Sequence, residues 1–248
     1  MNLLITAGAA SAPLDGTRAV VPTAVPRAVS KVAAFAYQRG HSLLILTSST
    51  EVLAELPTDT ADPNRMRVVN YRTADELMAV LPWCLAEARP DAVLHAAAVP
   101  EFVPAGAFIP AAGTVFHPRS REWVSDGGNA KLADATAASG QVEPEQWVRL
   151  VRAPRAIDRL KSQWGYTGPL VLMRVDADAT DHKLLELGEG HRTRAAAELL
   201  VTTTVSGEGL WAFVGPSDGR YDRVPRRELA ERMILQLEDW HRARVANG

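Results

Sequence analysis

Two periodicities alternate along the first hundred residues. The uninterrupted apolar runs "NLLITAG", "SLLILTSS" and "DAVLHAAAV" have the look of strands buried on both faces. Longer segments between them place apolar residues at helical spacing. In "PRAVSKVAAFAYQRGH", Val29, Val32, Ala33 and Ala36 share one face, and Gly40 supplies the stop. "MRVVNY" predicts a third, short strand. "TADELMAVLPWCLAEA" opens with Thr73 as an N-cap and an acidic first turn, then becomes apolar at helical spacing. This order implies parallel strands with helices on both faces. The expected fold class is α/β: a Rossmann-like three-layer domain with a mainly parallel sheet and a C-terminal β-hairpin.

From about residue 100 to 140 the pattern breaks into Pro, Gly, Ala and Ser, which predicts a long irregular excursion, partly β. It then returns. "EPEQWVRLVRAPRAIDRLKSQWG" predicts helix interrupted near Pro154, "PLVLMRVDA" a strand, "HRTRAAAE" a short helix and "LLVTTTVS" a strand. Asp218-Gly219 marks the turn of a closing hairpin. In the last helix Leu229, Met233, Ile234, Leu237 and Trp240 form one face. With no internal repeat and no linker, residues 1–248 are expected to form a single domain.

Composition narrows the function classes. A net charge of −2 argues against general nucleic-acid binding, which calls for a basic surface. The single cysteine, Cys84, lies in an apolar helical stretch and suggests a buried packing thiol. No apolar run reaches membrane-spanning length and no signal segment opens the chain, so a cytoplasmic location without membrane partners is expected.

Common signatures are missing: no G-x-x-x-x-G-K-[ST], no G-x-G-x-x-G after a strand, no Tyr-x-x-x-Lys, no H-E-x-x-H and no paired C-x-x-C. Their absence weighs against an NAD(P)-dependent reductase, and no metal ligands are assigned. His182, Glu186 and His191 are taken as helix or loop surface, and Gly207-Glu208-Gly209 as a turn. The candidate chemistry starts in "LLITAGAASAPLDGTRAV", where a strand runs into small residues. Gly8 is either an anion-binding turn or an ordinary strand-to-loop glycine. Asp15 and Arg18 either position a ligand or pair locally. The small residues of "HAAAV" either admit a planar base or pack two strands closely, and His95 is expected to be a satisfied core histidine. Lys131 is either brought over a phosphate by its loop or solvated. Arg226-Arg227 is assigned to a solvated helix face.

The order of these pieces resembles the phosphopantothenoylcysteine synthetase family, also labelled DNA/pantothenate metabolism flavoprotein. The opening is similar to that family's ITAG-x-T-x-x-P-[IL]-D-x-V-R, with Thr6, Ala7, Gly8, Pro13, Leu14, Asp15 and Arg18 matching. "HAAAVPEF" resembles its AAVSDF, and "NAKLAD" stands where it carries a lysine flap. The resemblance implies a ligase of coenzyme A biosynthesis that uses CTP or ATP with Mg²⁺, binds no tight flavin and works as a homodimer with its site near the subunit interface. Such a ligase joins 4′-phosphopantothenate to cysteine through a nucleotidyl-activated carboxylate. It also implies roles: Gly8, Ala9 and Ala10 in the phosphate-side turn with Asp15; Arg18 as motif arginine; Ala97 and Ala98 on the nucleotide side; Glu101 in place of the family's aspartate; and Lys131 as flap lysine. The chain departs from the pattern where the family has Asn-x-Ser-Ser-Gly. Pro22 replaces the asparagine and Ala24-Val25-Pro26 the Ser-Ser-Gly, removing hydroxyls and N–H donors. That favours a second reading, a catalytically degenerate nucleotide-binding homologue with a regulatory or partner role.

Overall fold

The computed structural model describes residues 1–57, 62–126, 132–134 and 145–246. Chain order runs β1 (Asn2–Ala7), β2 (Ala12–Pro13), β3 (Ala19–Val20), α1 (Ala28–Gln38), β4 (Ser42–Thr47), β5 (Met66–Asn70), α2 (Ala74–Ala88), β6 (Ala92–His95) and β7 (Phe102–Pro110). It continues with β8 (Thr114–His117), β9 (Glu122–Ser125), β10 (Leu132–Asp134), β11 (Trp147–Arg152), α3 (Ala156–Ser162), β12 (Leu170–Asp176), α4 (Asp181–Arg194), β13 (Leu199–Thr204), β14 (Trp211–Ser217), β15 (Arg220–Pro225) and α5 (Arg226–Ala246). The chain divides into two compact units. The first comprises Met1–Ser11, Val21–Val99 and Arg155–Gly248; the second comprises Ala12–Val20 and Pro100–Pro154.

Among its described residues the first unit holds an eight-stranded sheet in the order β15-β14-β13-β12-β6-β1-β4-β5. The six strands from β13 to β5 are parallel, and the β14–β15 hairpin adds antiparallel to β13. Numbered by appearance, those six follow the doubly wound order 3-2-1-4-5-6, with the reversal beside β1. Side-chain alternation along β1 builds the three layers. Leu3, Ile5 and Ala7 pack with Val29, Val32 and Ala36 of α1 and Met233 and Leu237 of α5. Leu4 on the other face packs with Leu77 and Leu81 of α2 and Leu160 of α3.

The expected α/β class, the strands and the closing helix are observed. Thr73 caps α2 by accepting the Glu76 N–H at 3.1 Å. Cys84 is a buried thiol that burial pushes up to about 11. The hairpin turns at Asp218 and Gly219, both at positive φ (50° and 76°), as a two-residue primed turn requires. No described helix is long and apolar enough to cross a membrane.

Two elements differ from expectation. Trp147–Arg152, expected as helix, is strand β11, paired antiparallel with β7. The partner strand decides the conformation of a segment whose β-branched Val148 and Val151 suit a pleated ladder. The short helix expected near His191 is the end of the longer α4, capped by Thr180. Only Leu184 and Gly188 of α4 are buried, so it carries almost no apolar stripe to read.

In the second unit β2 and β3 form a hairpin, β10-β7-β11 a three-stranded sheet and β8-β9 a second hairpin. Trp147 packs edge to face on Phe116 and Trp123, which are tilted against each other, with ring centroids 4.6–5.1 Å apart.

Candidate nucleotide cleft

The carboxyl end of β1 turns a corner at Gly8, whose φ is +85°. A Cβ there would lie 2.3 Å from Ser48 Oγ and 3.1 Å from the Ser48 nitrogen. Both the left-handed backbone and the lack of space demand glycine. The corner is tied on two sides. Toward β4 and β5, Ser48 Oγ donates to the Ala9 carbonyl at 2.8 Å, and the Tyr71 hydroxyl to the Ala7 carbonyl at 2.7 Å. Toward β6, the Ala98 N–H donates to the Gly8 carbonyl and the Ala10 N–H to the Ala98 carbonyl, each at 2.8 Å. Ala9 and Ala98 thus extend the parallel ladder by one bridge. The Ala10 N–H is spent inside the fold, and Ala10 and Ala97 are buried.

Beside this corner lies a cleft of about 570 Å³. Gly8 and Ala9 form one wall, and Ser49, Glu51 and Glu55 follow β4 on another. Thr23, Val25 and Pro26 lead into the first turn of α1, which adds Arg27, Ser30 and Lys31. Arg226 closes the cleft from the start of α5. In open α/β sheets ligands sit at the carboxyl ends of the parallel strands, and this cleft stands there.

Arg226 corrects the expectation of a solvated pair. Its side chain is 16% exposed, whereas that of Arg227 is 84% exposed. Topology places it: β15 is antiparallel to β14, which is antiparallel to β13, so β15 ends at the same edge as the parallel strands and α5 starts there. Adjacent Arg residues at a helix start look alike in sequence; the hairpin brings both to this edge, and the helical rotation between consecutive residues turns Arg226 inward and Arg227 outward.

The corner residues Gly8, Ala9, Ala10, Ala97 and Ala98 are brought together in the first unit. Asp15 and Arg18 lie in the β2–β3 hairpin of the second unit. Asp15 Oδ1 accepts the Thr17 N–H (2.8 Å), the Thr17 hydroxyl (2.9 Å) and the Arg18 N–H (2.9 Å), while Oδ2 accepts Arg18 Nε at 2.7 Å. These bonds, led by the Thr17 N–H, hold the carboxyl well below the usual carboxylate range. Arg18 also donates to Gln146 Oε1 at 2.8 Å. The local pairing is therefore present. The Glu101 carbonyl accepts the Ala153 N–H at 2.9 Å, and Lys131 lies outside the described residues.

His95 is the expected core histidine. It is buried, with Nδ1 2.8 Å from Thr6 Oγ1. Burial, then nearby Arg155 and Arg174, push it down to about 3, so it is neutral. His191 is not bare surface, because its Nδ1 accepts from Arg155 at 2.8 Å. Among the described residues no group of three His, Cys, Asp or Glu side chains could hold a metal ion. Mg²⁺ needs no such cage: one or two carboxylates and substrate phosphates suffice, and Glu51 and Glu55 face the cleft.

No family model and no curated protein matches the sequence. Solved structures do match. The DNA/pantothenate metabolism flavoprotein from Streptococcus pneumoniae superposes with TM-score 0.72, covering 97% of this chain and 99% of that one, at 15% identity. The fold is that of this flavoprotein structure. A Cab2 mutant in complex with phosphopantothenate-cysteine gives 0.68 at 15% identity, covering 99% of this chain and 88% of that one. The C-terminal domain of the coenzyme A biosynthesis bifunctional protein CoaBC gives 0.62 at 15% identity, covering 96% and 94%.

Gly8→Ala is expected to lower unfolding free energy in urea by roughly 2 kcal/mol or more, since positive φ alone costs a Cβ-bearing residue about 1–2 kcal/mol. A change within 0.5 kcal/mol would refute the two-sided constraint on the corner. His95 makes a pH prediction. Its folded pKa lies below the unfolded value, so its stabilising contribution is complete above about pH 6.5 and is lost as pH falls toward 3. Unfolding free energy between pH 6.5 and 4.5 should therefore fall more steeply in the wild-type chain than in His95→Asn, by up to about 1.4 kcal/mol per pH unit. Equal slopes would show that His95 is not held neutral.

Proposed function

We propose that this chain is a ligase of the phosphopantothenoylcysteine synthetase type. The observation that carries this reading is agreement over almost the whole chain with the flavoprotein structure, 97% against 99%, second unit included. A cleft at the carboxyl edge of β1 supports it. In the reaction, a carboxylate oxygen of 4′-phosphopantothenate attacks the α-phosphorus of CTP or ATP, and pyrophosphate leaves. The cysteine amine then attacks the acyl carbon, loses its proton and expels the nucleoside monophosphate. A carboxylate resists direct attack by an amine; the mixed anhydride supplies a good leaving group. Mg²⁺ travelling with the nucleotide spreads the charge on its phosphates.

The protein's part is to gather anionic partners and orient them. Gly8, Ala9 and Ala10 are assigned to the phosphate-side corner, with Gly8 and Ala9 lining the cleft, and Ala97 and Ala98 are assigned to the nucleotide side. Asp15 orients Arg18, whose guanidinium is assigned to the carboxylate or phosphate of the acidic substrate. Glu101 is assigned to the nucleotide side, and Lys131 to charge developing in the transition state. The active form is a homodimer.

One observation favours the degenerate alternative, a homologue that binds a nucleotide without turnover. The approach to α1 holds Pro22 and Pro26, which lack an N–H, and Arg27's N–H already donates to Glu208 at 3.0 Å. Pyrophosphate release from CTP or ATP with 4′-phosphopantothenate, with and without cysteine, separates the two. The ligase reading expects nucleotide-dependent release and amide product, both reduced at least 100-fold in Arg18→Ala. Nucleotide binding without release supports the degenerate homologue, and absence of nucleotide binding overturns both.

A further inference from the structure

Glu208 stands beside Arg226 and the first turn of α1. Its Oε1 accepts the Arg27 N–H at 3.0 Å, and the Arg226 guanidinium is 3.9 Å from the same oxygen. That separation is an ion pair without a hydrogen bond. The two side chains are only 16% and 17% exposed, so Arg226 has lost most of its water while its nearest carboxylate stays out of bonding reach. Burial pushes the guanidinium pKa down; Glu208 and then Glu55 push it back up. A guanidinium remains charged regardless, and its five N–H donors suit a phosphate held by two of them.

Glu208 sits where it can be exchanged. Gly207 precedes it and Gly209, at φ +93°, follows it. The loop backbone is fixed, with Gly207 buried and the Glu208 N–H donating to the Thr204 carbonyl at 2.9 Å, so exchange means rotation of the Glu208 side chain alone. Around the cleft and its edge, Arg27, Lys31 and Arg226 face Glu51, Glu55 and Glu208. With Glu208 in place these formal charges cancel; with it withdrawn, cations exceed carboxylates.

We propose that Arg226 anchors a terminal phosphate of the cleft's ligand, and that Glu208 is a resident anion which this phosphate displaces. The ligand class is an oligophosphate. The proposal deepens the nucleotide reading of the same cleft and rests on that reading only for what the phosphates are attached to. Glu208 sets affinity by competition, so weak anions fail to enter and a polyanion succeeds.

Titration calorimetry with inorganic tripolyphosphate tests this directly. The wild-type chain should bind it. Arg226→Gln should bind at least tenfold more weakly, with Arg226→Lys in between. Glu208→Gln should bind about fivefold more tightly, because its amide oxygen still accepts the Arg27 N–H while the competing charge is gone. A gain of affinity cannot arise from failed folding. No tripolyphosphate binding, unchanged affinity in Arg226→Gln, or no gain in Glu208→Gln overturns the proposal. If the expected pattern appears without pyrophosphate release from CTP or ATP, the subsite stands and the ligase reading fails. If turnover occurs but the variants match wild type, the ligase reading stands and the subsite fails.

Discussion

At the Gly8 corner the backbone runs left-handed against the Ser48–Ser49 turn, with 2.3 Å between an imagined Cβ and Ser48 Oγ. Neighbours on both sides depend on that close approach. Ser48 holds the Ala9 carbonyl, Tyr71 holds the Ala7 carbonyl, and the exit of β6 adds the Ala9–Ala98 bridge. The corner locks the carboxyl ends of β1, β4 and β6 into one rigid floor at the point where the strand order reverses.

A floor tied this way has consequences for ligand chemistry. The Ala10 N–H serves the fold and cannot also cradle a phosphate. The approach to α1 is proline-bearing, and the helix has neither a side-chain cap nor an acidic residue in its first turn. Side chains bring positive charge to this edge: Arg27 just before α1, Lys31 on α1 and Arg226 on α5. A site assembled from long cations gives up some of the preorganisation of backbone donors and gains charge that neighbouring carboxylates can tune. Glu208 is the carboxylate placed to do so.

Much of the fold was legible because its signals are local. Apolar runs such as Leu43–Leu46, short and bounded by Gly40 and Ser48-Ser49, read as buried strands, and Thr73 and Asp218-Gly219 act within a few residues of themselves. The β11 strand was not legible because its partner, β7, lies more than thirty residues away in sequence. α4 was hidden by a surface-like composition around Leu184 and Gly188. In the site, Gly8 could be read from the strand before it. The asymmetry between Arg226 and Arg227 could not, since it depends on the edge where the hairpin starts α5 and on the rotation of the helix there. Glu208 looked like a turn residue between two glycines, and its meaning comes from Arg27, 181 residues earlier.

In the proposed ligase the phosphates of a nucleotide would lie on the α1 and α5 side of the Gly8 corner. A crystal structure of the full chain grown with CTP and Mg²⁺ tests that placement most directly. Phosphate density between Gly8, the first turn of α1 and Arg226, with Glu208 turned away, is the predicted result. A nucleotide bound elsewhere, with this cleft empty and Glu208 still on the Arg27 N–H, would contradict it.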